Sequence, residues 1–335
     1  ILQASFDWTP QPCYPFQTVT FDGSGSTAGK TGIVEYEWEF DDGSSETGMV
    51  VQYVFGEAGS YNVRLTITSG DGAQESVQQV VTVEDALVVP GAFPRIQDAI
   101  EAAQDGQRVV VLPGKYSENL RFSGKRITVQ SSNPDDPAIV SSTIIRGKEY
   151  GRPTVNIGNG SRVTLEGFTI LAGPVGPGPV CGVCSGIIYI REAAPTIRGN
   201  RILNSPNSGI VVYESDAHIE GNTISNNSAG SPGGGITVDS YRVAPVITGN
   251  TFEGNLAPSG GAIFITASAA LNPTPACAAV TIVRENTFRS NVATKYGGGA
   301  IFVEYTGNLR LDTPDSNTYS GNDPDNIFYV VPPSE

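Results

Sequence analysis

A repeated pattern of two asparagines, an apolar residue and a glycine-led strand runs through the second half of the chain. Its clearest copies are NTFEGNLAPSGGAIF at 250–264 and NTFRSNVATKYGGGAIF at 286–302. Successive first asparagines are separated by 22, 28, 36 and 31 residues. They are Asn200, Asn222, Asn250, Asn286 and Asn317. This period predicts stacked coils with a core of about 22 residues and insertions at the corners.

Such coils predict a right-handed parallel β-helix, in which equivalent residues of successive coils lie about 4.8 Å apart. A corner asparagine then bonds the backbone and the next asparagine, which forms a ladder. Apolar residues beside each asparagine, such as Ile219 and Phe252, are predicted to fill the interior. A second ladder is predicted from Asn204, Asn226, Asn255, Asn291 and Asn322.

An amphipathic helix is predicted before the coils. Ile96, Ala99, Ile100 and Ala103 fall at helical spacing, and Gly106 ends the pattern before the strand RVVVL. We expect this helix to cover the end of the solenoid. Residues 92–330 resemble the pectin-lyase-like β-helix proteins, whose enzymatic members act on polysaccharides. The FEGN, FRSN and GGAI segments are also similar, over two coils, to repeats of chlamydial polymorphic outer-membrane adhesins.

The first part of the chain has a different pattern. Residues 18–83 alternate apolar and polar positions in short runs between glycine-rich turns, which predicts an antiparallel sandwich with Trp38 and Phe40 in its core. The segments FDGSGST, WEFDDG and YVFGEAGSYNVRLTIT resemble the polycystic kidney disease (PKD) domain. That resemblance implies an extracellular spacer or binding module. The predicted chain is therefore all-β: an immunoglobulin-like (PKD) β-sandwich over 1–85, then a right-handed parallel β-helix with an N-terminal capping helix over 86–335.

Charge and composition restrict the partners. The net charge is −14, of which 1–85 contribute −11 and 86–335 contribute −3. Nucleic acid is therefore not expected as a partner, since phosphate binding needs a basic face. The nearly balanced charge of residues 86–335 still permits an acidic polysaccharide as a partner. No apolar run approaches the roughly 20 residues of a membrane span. The opening ILQASFDW has no signal-peptide pattern and indicates a processed or trimmed chain, which we expect outside the cell or on its surface.

Few side chains suggest a metal or a cofactor. Four cysteines permit three full pairings, and the CGVC segment predicts a disulfide-stapled insertion rather than a zinc site. The four are Cys13, Cys181, Cys184 and Cys277. Asp22, Asp41 and Asp42 are weak calcium candidates; the favoured interpretation is turn carboxylates that bind backbone N–H groups. No cofactor is predicted apart from this calcium.

Outward-facing rows beside the glycine corners are the predicted functional surface. Strand alternation directs one row outward, comprising Tyr189, Val211, Thr237, Phe264 and Phe302, and a second row, comprising Arg191, Tyr213, Asp239, Thr266 and Glu304. The aromatic row is either covered by an insertion or offered to a partner. If it is exposed, the predicted binding residues are Tyr189, Arg191, Tyr213, Phe264 and Phe302. The catalytic candidates are Asp239, Glu304 and Lys295.

Known catalytic signatures of β-helix enzymes are missing from the second part. Both tryptophans, Trp8 and Trp38, lie in the first part, and the single histidine, His218, occupies an ordinary outward strand position. The leading prediction is a structural or adhesive surface protein that binds glycan or assembles with copies of itself into a layer or filament. The alternative is a secreted polysaccharide lyase, glycoside hydrolase or uronate epimerase that acts in a β-helix groove.

Overall fold

The computed structural model describes residues 1–28, 30–174, 186–240, 243–266, 281–304, 309–311 and 316–330. The chain divides into two compact units, Ile1–Pro94 and Arg95–Glu335.

The first unit is a sandwich of two antiparallel sheets, ordered β1-β2-β5 and β4-β3-β6-β7. Trp38 and Leu65 are fully buried between them, as alternation predicts, and the Trp38 Nε1 donates to the Gly48 carbonyl at 2.8 Å. The strands of the sandwich are β1 (Asp7–Thr9), β2 (Thr18–Asp22), β3 (Ile33–Phe40), β4 (Ser45–Thr47), β5 (Val50–Val54), β6 (Gly59–Ser69) and β7 (Gln74–Val83). A short strand, β8 (Leu87–Val89), follows them and belongs to neither sheet of the sandwich.

The second unit is a stack of coils whose strands form three parallel sheets. Sheet 1 contains β10 (Gly114–Ser117), β13 (Thr143–Arg146), β16 (Thr169–Leu171), β19 (Arg201–Leu203), β22 (Thr223–Ser225), β25 (Thr251–Glu253), β29 (Thr287–Arg289) and β33 (Thr318–Ser320). Sheet 2 contains β11 (Leu120–Ser123), β14 (Val155–Gly158), β17 (Gly186–Arg191), β20 (Ser208–Tyr213), β23 (Ile236–Asp239), β27 (Ile263–Thr266), β31 (Ile301–Val303) and β34 (Ile327–Tyr329). Sheet 3 contains β9 (Arg108–Val111), β12 (Thr128–Ser131), β15 (Thr164–Glu166), β18 (Thr196–Arg198), β21 (His218–Glu220), β24 (Val246–Thr248), β28 (Thr281–Arg284) and β32 (Leu309–Leu311).

Identical or similar apolar residues stack through the interior of the coils. In sheet 2, Ile210 is the register partner of Ile188 and Ile236, and all three are fully buried. In the later coils of sheet 1 the interior row consists of aromatic rings: Phe252 and Phe288 lie parallel with their centroids 5.0 Å apart. A corner pair, β26 (Leu256–Ser259) and β30 (Val292–Gly297), and a short helix, α2 (Pro137–Ser142), complete the unit. The prediction of a β-sandwich followed by a parallel β-helix is confirmed.

The predicted capping helix is present as α1 (Ile96–Ala102), with Ile96, Ala99 and Ile100 buried. Both of its ends are held by side chains of the coils. The Glu118 carboxylate accepts the Ile96 and Gln97 N–H groups, each at 3.0 Å, at the N-terminus. The Lys125 ammonium donates to the Glu101 and Ala103 carbonyls at 3.0 and 2.7 Å. This arrangement places a negative charge at the positive end of the helix dipole and a positive charge at its negative end.

Replacing Glu118 by alanine is expected to lower the free energy of unfolding by about 1 to 2 kcal/mol, because two N–H groups at the start of α1 lose their acceptor. The loss is measured by urea unfolding followed by circular dichroism. Glu253→Ala, on the exposed outer face of β25, is the matched control and should change the midpoint little. Equal effects of the two variants would contradict the capping role.

Two asparagine ladders run along the coils. In the first, the Nδ2 of Asn222 donates to the Oδ1 of Asn250 at 2.9 Å, and the Nδ2 of Asn250 to that of Asn286 at 3.0 Å, as predicted. The second ladder consists of Asn227, Asn255, Asn291 and Asn322.

The prediction that Asn204 and Asn226 join the second ladder is wrong. Both adopt positive φ, 56° and 53°, and share this left-handed conformation with Gly254 of the next coil. A short polar side chain makes asparagine tolerant of that conformation. The ladder position follows one residue later, where Ser205 and Asn227 lie.

Candidate functional site

The outward aromatic row of sheet 2 is mostly covered. Tyr189, Phe264 and Phe302 are 9%, 7% and 6% exposed. The Phe264 and Phe302 rings stack with centroids 5.5 Å apart, and Phe302 stacks on Phe328 at 5.3 Å. Phe264 and Phe302 are therefore covered, whereas the small exposed part of Tyr189 borders two cavities. Phe264 and Phe302 have almost no free surface on which a sugar ring could lie.

Glycine corners lie close against this row. The Thr237 hydroxyl donates to the Pro232 carbonyl at 2.8 Å, which brings the chain before the corner over the sheet. Gly233 turns there with φ 80°, and a β-carbon on it would approach the Thr237 hydroxyl to 2.4 Å. In the last described coil, a β-carbon on Gly297 would lie 3.0 Å from the Phe328 ring. These glycines thus allow the corner to pack on the outward row.

The second outward row is more open and carries most of the predicted polar residues. Arg191, Tyr213 and Asp239 are successive register partners on β17, β20 and β23. The guanidinium carbon of Arg191 lies 5.4 Å from the Tyr213 ring centroid, and its Nε donates to Glu192 at 3.2 Å. The hydrogen bond to Glu192 raises the pKa of Arg191.

The catalytic candidates are only partly brought together. Asp239 is the register partner of Thr266, and the Thr266 hydroxyl donates to a Glu304 carboxylate oxygen at 2.6 Å. Asp239 and Glu304 therefore lie in one row with a single strand between them. Lys295 lies instead on β30, a strand of the corner pair, with its ammonium 4.6 Å from the Tyr296 ring centroid.

An open groove lies in front of β11, β14 and β17. Two adjoining cavities, of about 320 and 470 Å³, share Arg121, Asn156 and Tyr189 as lining residues. These three are register partners on adjacent strands. Gly158 occupies the neighbouring outward position of β14, where its missing side chain deepens the larger cavity. The groove therefore extends the predicted Tyr189 and Arg191 surface toward α1.

A fixed loop, residues 147–153, forms one wall of this groove. The Asn119 Oδ1 accepts the N–H groups of Lys148 and Glu149 at 3.0 and 2.8 Å, and its Nδ2 donates to the Pro153 carbonyl at 2.8 Å. The loop presents Glu149 and Arg152 beside Arg121. One asparagine side chain thus holds a polar wall against the strands.

Sequence reasoning missed Arg121 and Asn156 as site residues. The predicted rows lie on strands that follow a glycine corner, whereas these two residues belong to earlier coils without the SG or GG pattern. Alternation in LRFS and VNIG, in which Leu120 and Val155 point inward, was the signal available.

Comparison with known proteins agrees with this architecture. Residues 116–313 match the model of the right handed beta helix region, and residues 7–84 match that of the PKD domain. The chain belongs to the right-handed β-helix family. The predicted PKD domain and right-handed β-helix are thereby confirmed, whereas the similarity to adhesin repeats stays a prediction.

Curated relatives of this β-helix protein match only part of it. Collagenase ColA of Bacillus cereus is 38% identical over 135 residues, which cover 39% of the chain and 12% of the collagenase. The pre-pro-metalloprotease PrtV of Vibrio cholerae is 35% identical over 60 residues, 18% of the chain and 6% of the protease. The chain therefore spans about a tenth or less of the length of these relatives.

Solved structures match the chain at low overall similarity. The PKD1 domain of Vibrio cholerae PrtV is 27% identical with a TM-score of 0.23, covering 25% of the chain and 98% of that domain. The Family 28 exopolygalacturonase of Yersinia enterocolitica is 10% identical with a TM-score of 0.26, covering 98% of both chains. Among the helices that the structure describes, neither is long and apolar enough to cross a membrane.

The calcium candidates of the PKD unit accept hydrogen bonds, Asp22 and Asp42 within their own turns and Asp41 from a residue of β6. Asp22 accepts the Ser24 N–H at 2.8 Å, and Asp41 accepts the Asn62 N–H at 2.7 Å. Asp42 accepts the Ser44 hydroxyl at 2.6 Å and the Tyr53 hydroxyl, and these bonds lower its pKa. No group of three or more metal-binding side chains occurs in the described part of the chain. Calcium at these aspartates stays a prediction.

Of the four cysteines, Cys13 alone lies in a described range. Its thiol is buried and donates to the Thr82 carbonyl at 3.1 Å, and burial raises its pKa. Cys181, Cys184 and Cys277 lie outside the described residues, so the stapled insertion stays a prediction.

His218 is exposed on β21 between its register partners Thr196 and Val246, as its strand position predicts.

Proposed function

We propose that this β-helix protein is an extracellular or cell-surface protein that binds glycan in the groove in front of β11, β14 and β17. The groove itself carries the proposal, since it combines the size of a small-ligand site with converging polar groups. Arg121, Asn156 and Arg191 supply donors and an acceptor to the hydroxyl groups of a sugar. The Tyr189 edge supplies apolar contact at the junction of the two cavities.

Two further observations support this role. The PKD unit is shared with a collagenase and a pre-pro-metalloprotease, which favours a location outside the cell. The predicted binding residues Tyr189 and Arg191 border the groove, and Tyr213 extends its row under the Arg191 guanidinium.

Replacing Gly158 by leucine is expected to weaken glycan binding by about tenfold or more, because the new side chain fills the larger cavity. A β-carbon at Gly158 would lie 3.5 Å from the Arg191 carbonyl oxygen, an ordinary contact, so the fold should persist. Binding is measured on an array of plant, microbial and animal oligosaccharides, with circular dichroism as the check on folding.

The matched control is Gly230→Leu, at an exposed corner position with open space around its β-carbon. This variant should bind like the parent protein. A parent protein that binds no member of the array, or a folded Gly158→Leu protein that binds unchanged, would contradict the proposal.

A second candidate is hydrolysis of the bound polysaccharide. Asp239 and Glu304 lie two strands apart in one outward row, roughly 10 Å between backbones, and paired carboxylates are what a glycoside hydrolase uses. Release of reducing sugars from polysaccharides, lost in Asp239→Asn and Glu304→Gln but kept in Glu253→Gln, would support it. No release from any tested polysaccharide would remove this candidate in favour of binding alone.

A further candidate function is assembly with copies of this chain, through exposed apolar residues of the last described coil. Phe328, Tyr329 and Val330 are consecutive apolar residues with 38%, 43% and 38% exposure. Light scattering of the parent protein and of Phe328→Glu tests it. A strict monomer at all concentrations would exclude assembly.

A further inference from the structure

Each arginine of the groove lies beside a carboxylate. The Arg121 and Arg152 guanidinium groups are 3.9 and 3.6 Å from the Glu149 carboxylate. The Arg191 Nε is 3.2 Å from the Glu192 carboxylate. All five side chains are exposed by half or more, so these pairs form the rim of the groove.

This pairing removes most of the positive charge that an acidic sugar would need. A uronate or sulfate group that reached Arg121 would also face Glu149, and one at Arg191 would face Glu192. Like charges at such distances disfavour binding, and the negative charge of the whole chain adds a weaker repulsion at long range. The three arginines are therefore poorly arranged to capture an anion.

Neutral sugars suit the same groups better. A hydroxyl group both donates and accepts, so adjacent hydroxyls satisfy an arginine donor and a glutamate acceptor together. Such bonds to charged groups are stronger than neutral ones. Asn156, between Arg121 and Tyr189, offers one donor group and one acceptor on the same surface.

We propose that the groove selects neutral oligosaccharides over acidic ones, through alternating arginine and glutamate contacts to sugar hydroxyls. This inference rests on the proposed glycan-binding function and adds the class of sugar. Glu149 is assigned as a direct binding residue, rather than as the partner of two arginines alone.

The test compares neutral gluco-, galacto-, manno- and xylo-oligosaccharides with uronate and sulfated oligosaccharides by isothermal titration calorimetry of the full chain. We expect neutral ligands to bind, with affinity changing less than about twofold between about 0.01 and 1 M salt, since screening affects ion pairs most. Glu149→Gln should weaken this binding by about tenfold, through loss of a charge-assisted hydrogen bond. Glu253→Gln, away from the groove on β25, should leave it unchanged.

A preference for acidic oligosaccharides predicts the opposite effects of salt and of Glu149→Gln on binding. If acidic oligosaccharides bind preferentially, salt lowers their affinity and Glu149→Gln raises it, then the inference of neutral selectivity is overturned. The proposed glycan binding itself would stand. If no ligand of either class binds to the parent protein, the proposed function itself fails. Unchanged neutral binding in a folded Glu149→Gln protein would remove the role of Glu149.

Discussion

Replacing Asn227 by alanine is expected to lower the free energy of unfolding by about 2 to 5 kcal/mol, because two buried backbone groups lose their partners. Asn227 is fully buried; its Oδ1 accepts the Ser205 N–H at 2.9 Å and its Nδ2 donates to the Ile202 carbonyl at 3.2 Å. The same Nδ2 donates to Asn255, the next ladder member, at 3.0 Å. Urea unfolding followed by circular dichroism measures the loss.

The neighbouring residue supplies the control. Asn226 is exposed and holds φ at 53°, a conformation that glycine adopts without steric cost. Asn226→Gly should therefore change stability by less than about 0.5 kcal/mol. A comparable loss in both variants would show that asparagine as such, rather than its ladder position, determines the effect.

Replacing Phe288 by alanine is expected to cost about 3 to 5 kcal/mol, because the cavity lies between two rigid coils. The Phe288 ring is fully buried and lies between Phe252 and Tyr319, with centroid distances of 5.0 and 5.2 Å. Neighbouring coils are joined by parallel strand pairs on each side of the ring, so they cannot close the space without breaking backbone hydrogen bonds. Thermal and urea unfolding measure this destabilisation.

Phe328→Ala is the matched control on the outer face of the last described coil, on β34. That ring also stacks, on Phe302, but it is 38% exposed, so its loss should cost about 1 kcal/mol. If Phe288→Ala costs no more than Phe328→Ala, the interior stack contributes little beyond ordinary surface packing. That outcome would contradict the stack of interior aromatic rings as a source of stability.

The two asparagine ladders show how far the repeat could be interpreted. The first ladder follows from spacing, since each asparagine precedes an apolar or aromatic residue by two positions, and the first four of these residues are fully buried. The second was misassigned in two coils because Asn204 and Asn226 each precede the ladder position by one residue. Distinguishing a left-handed turn from a buried ladder site requires the backbone conformation, which the letters NN and NS do not supply.

The outward rows show a different limit. Alternation correctly places Phe264 and Phe302 on the outer face of sheet 2, and both are nevertheless buried. Arg121 and Asn156 were overlooked, and they border the open groove. In both cases the orientation was available from the sequence, whereas the exposure was not.

The sequence alone determined the sandwich, the coiled second part, the capping helix and the side of each strand that faces the core. These features depend on local periodicity, because a strand alternates its side chains whatever surrounds it. The tertiary structure alone decided which outward residues stay open to a ligand. That outcome depends on corners such as Gly233 and loops such as 147–153, which pack on or beside a sheet from distant positions in the chain.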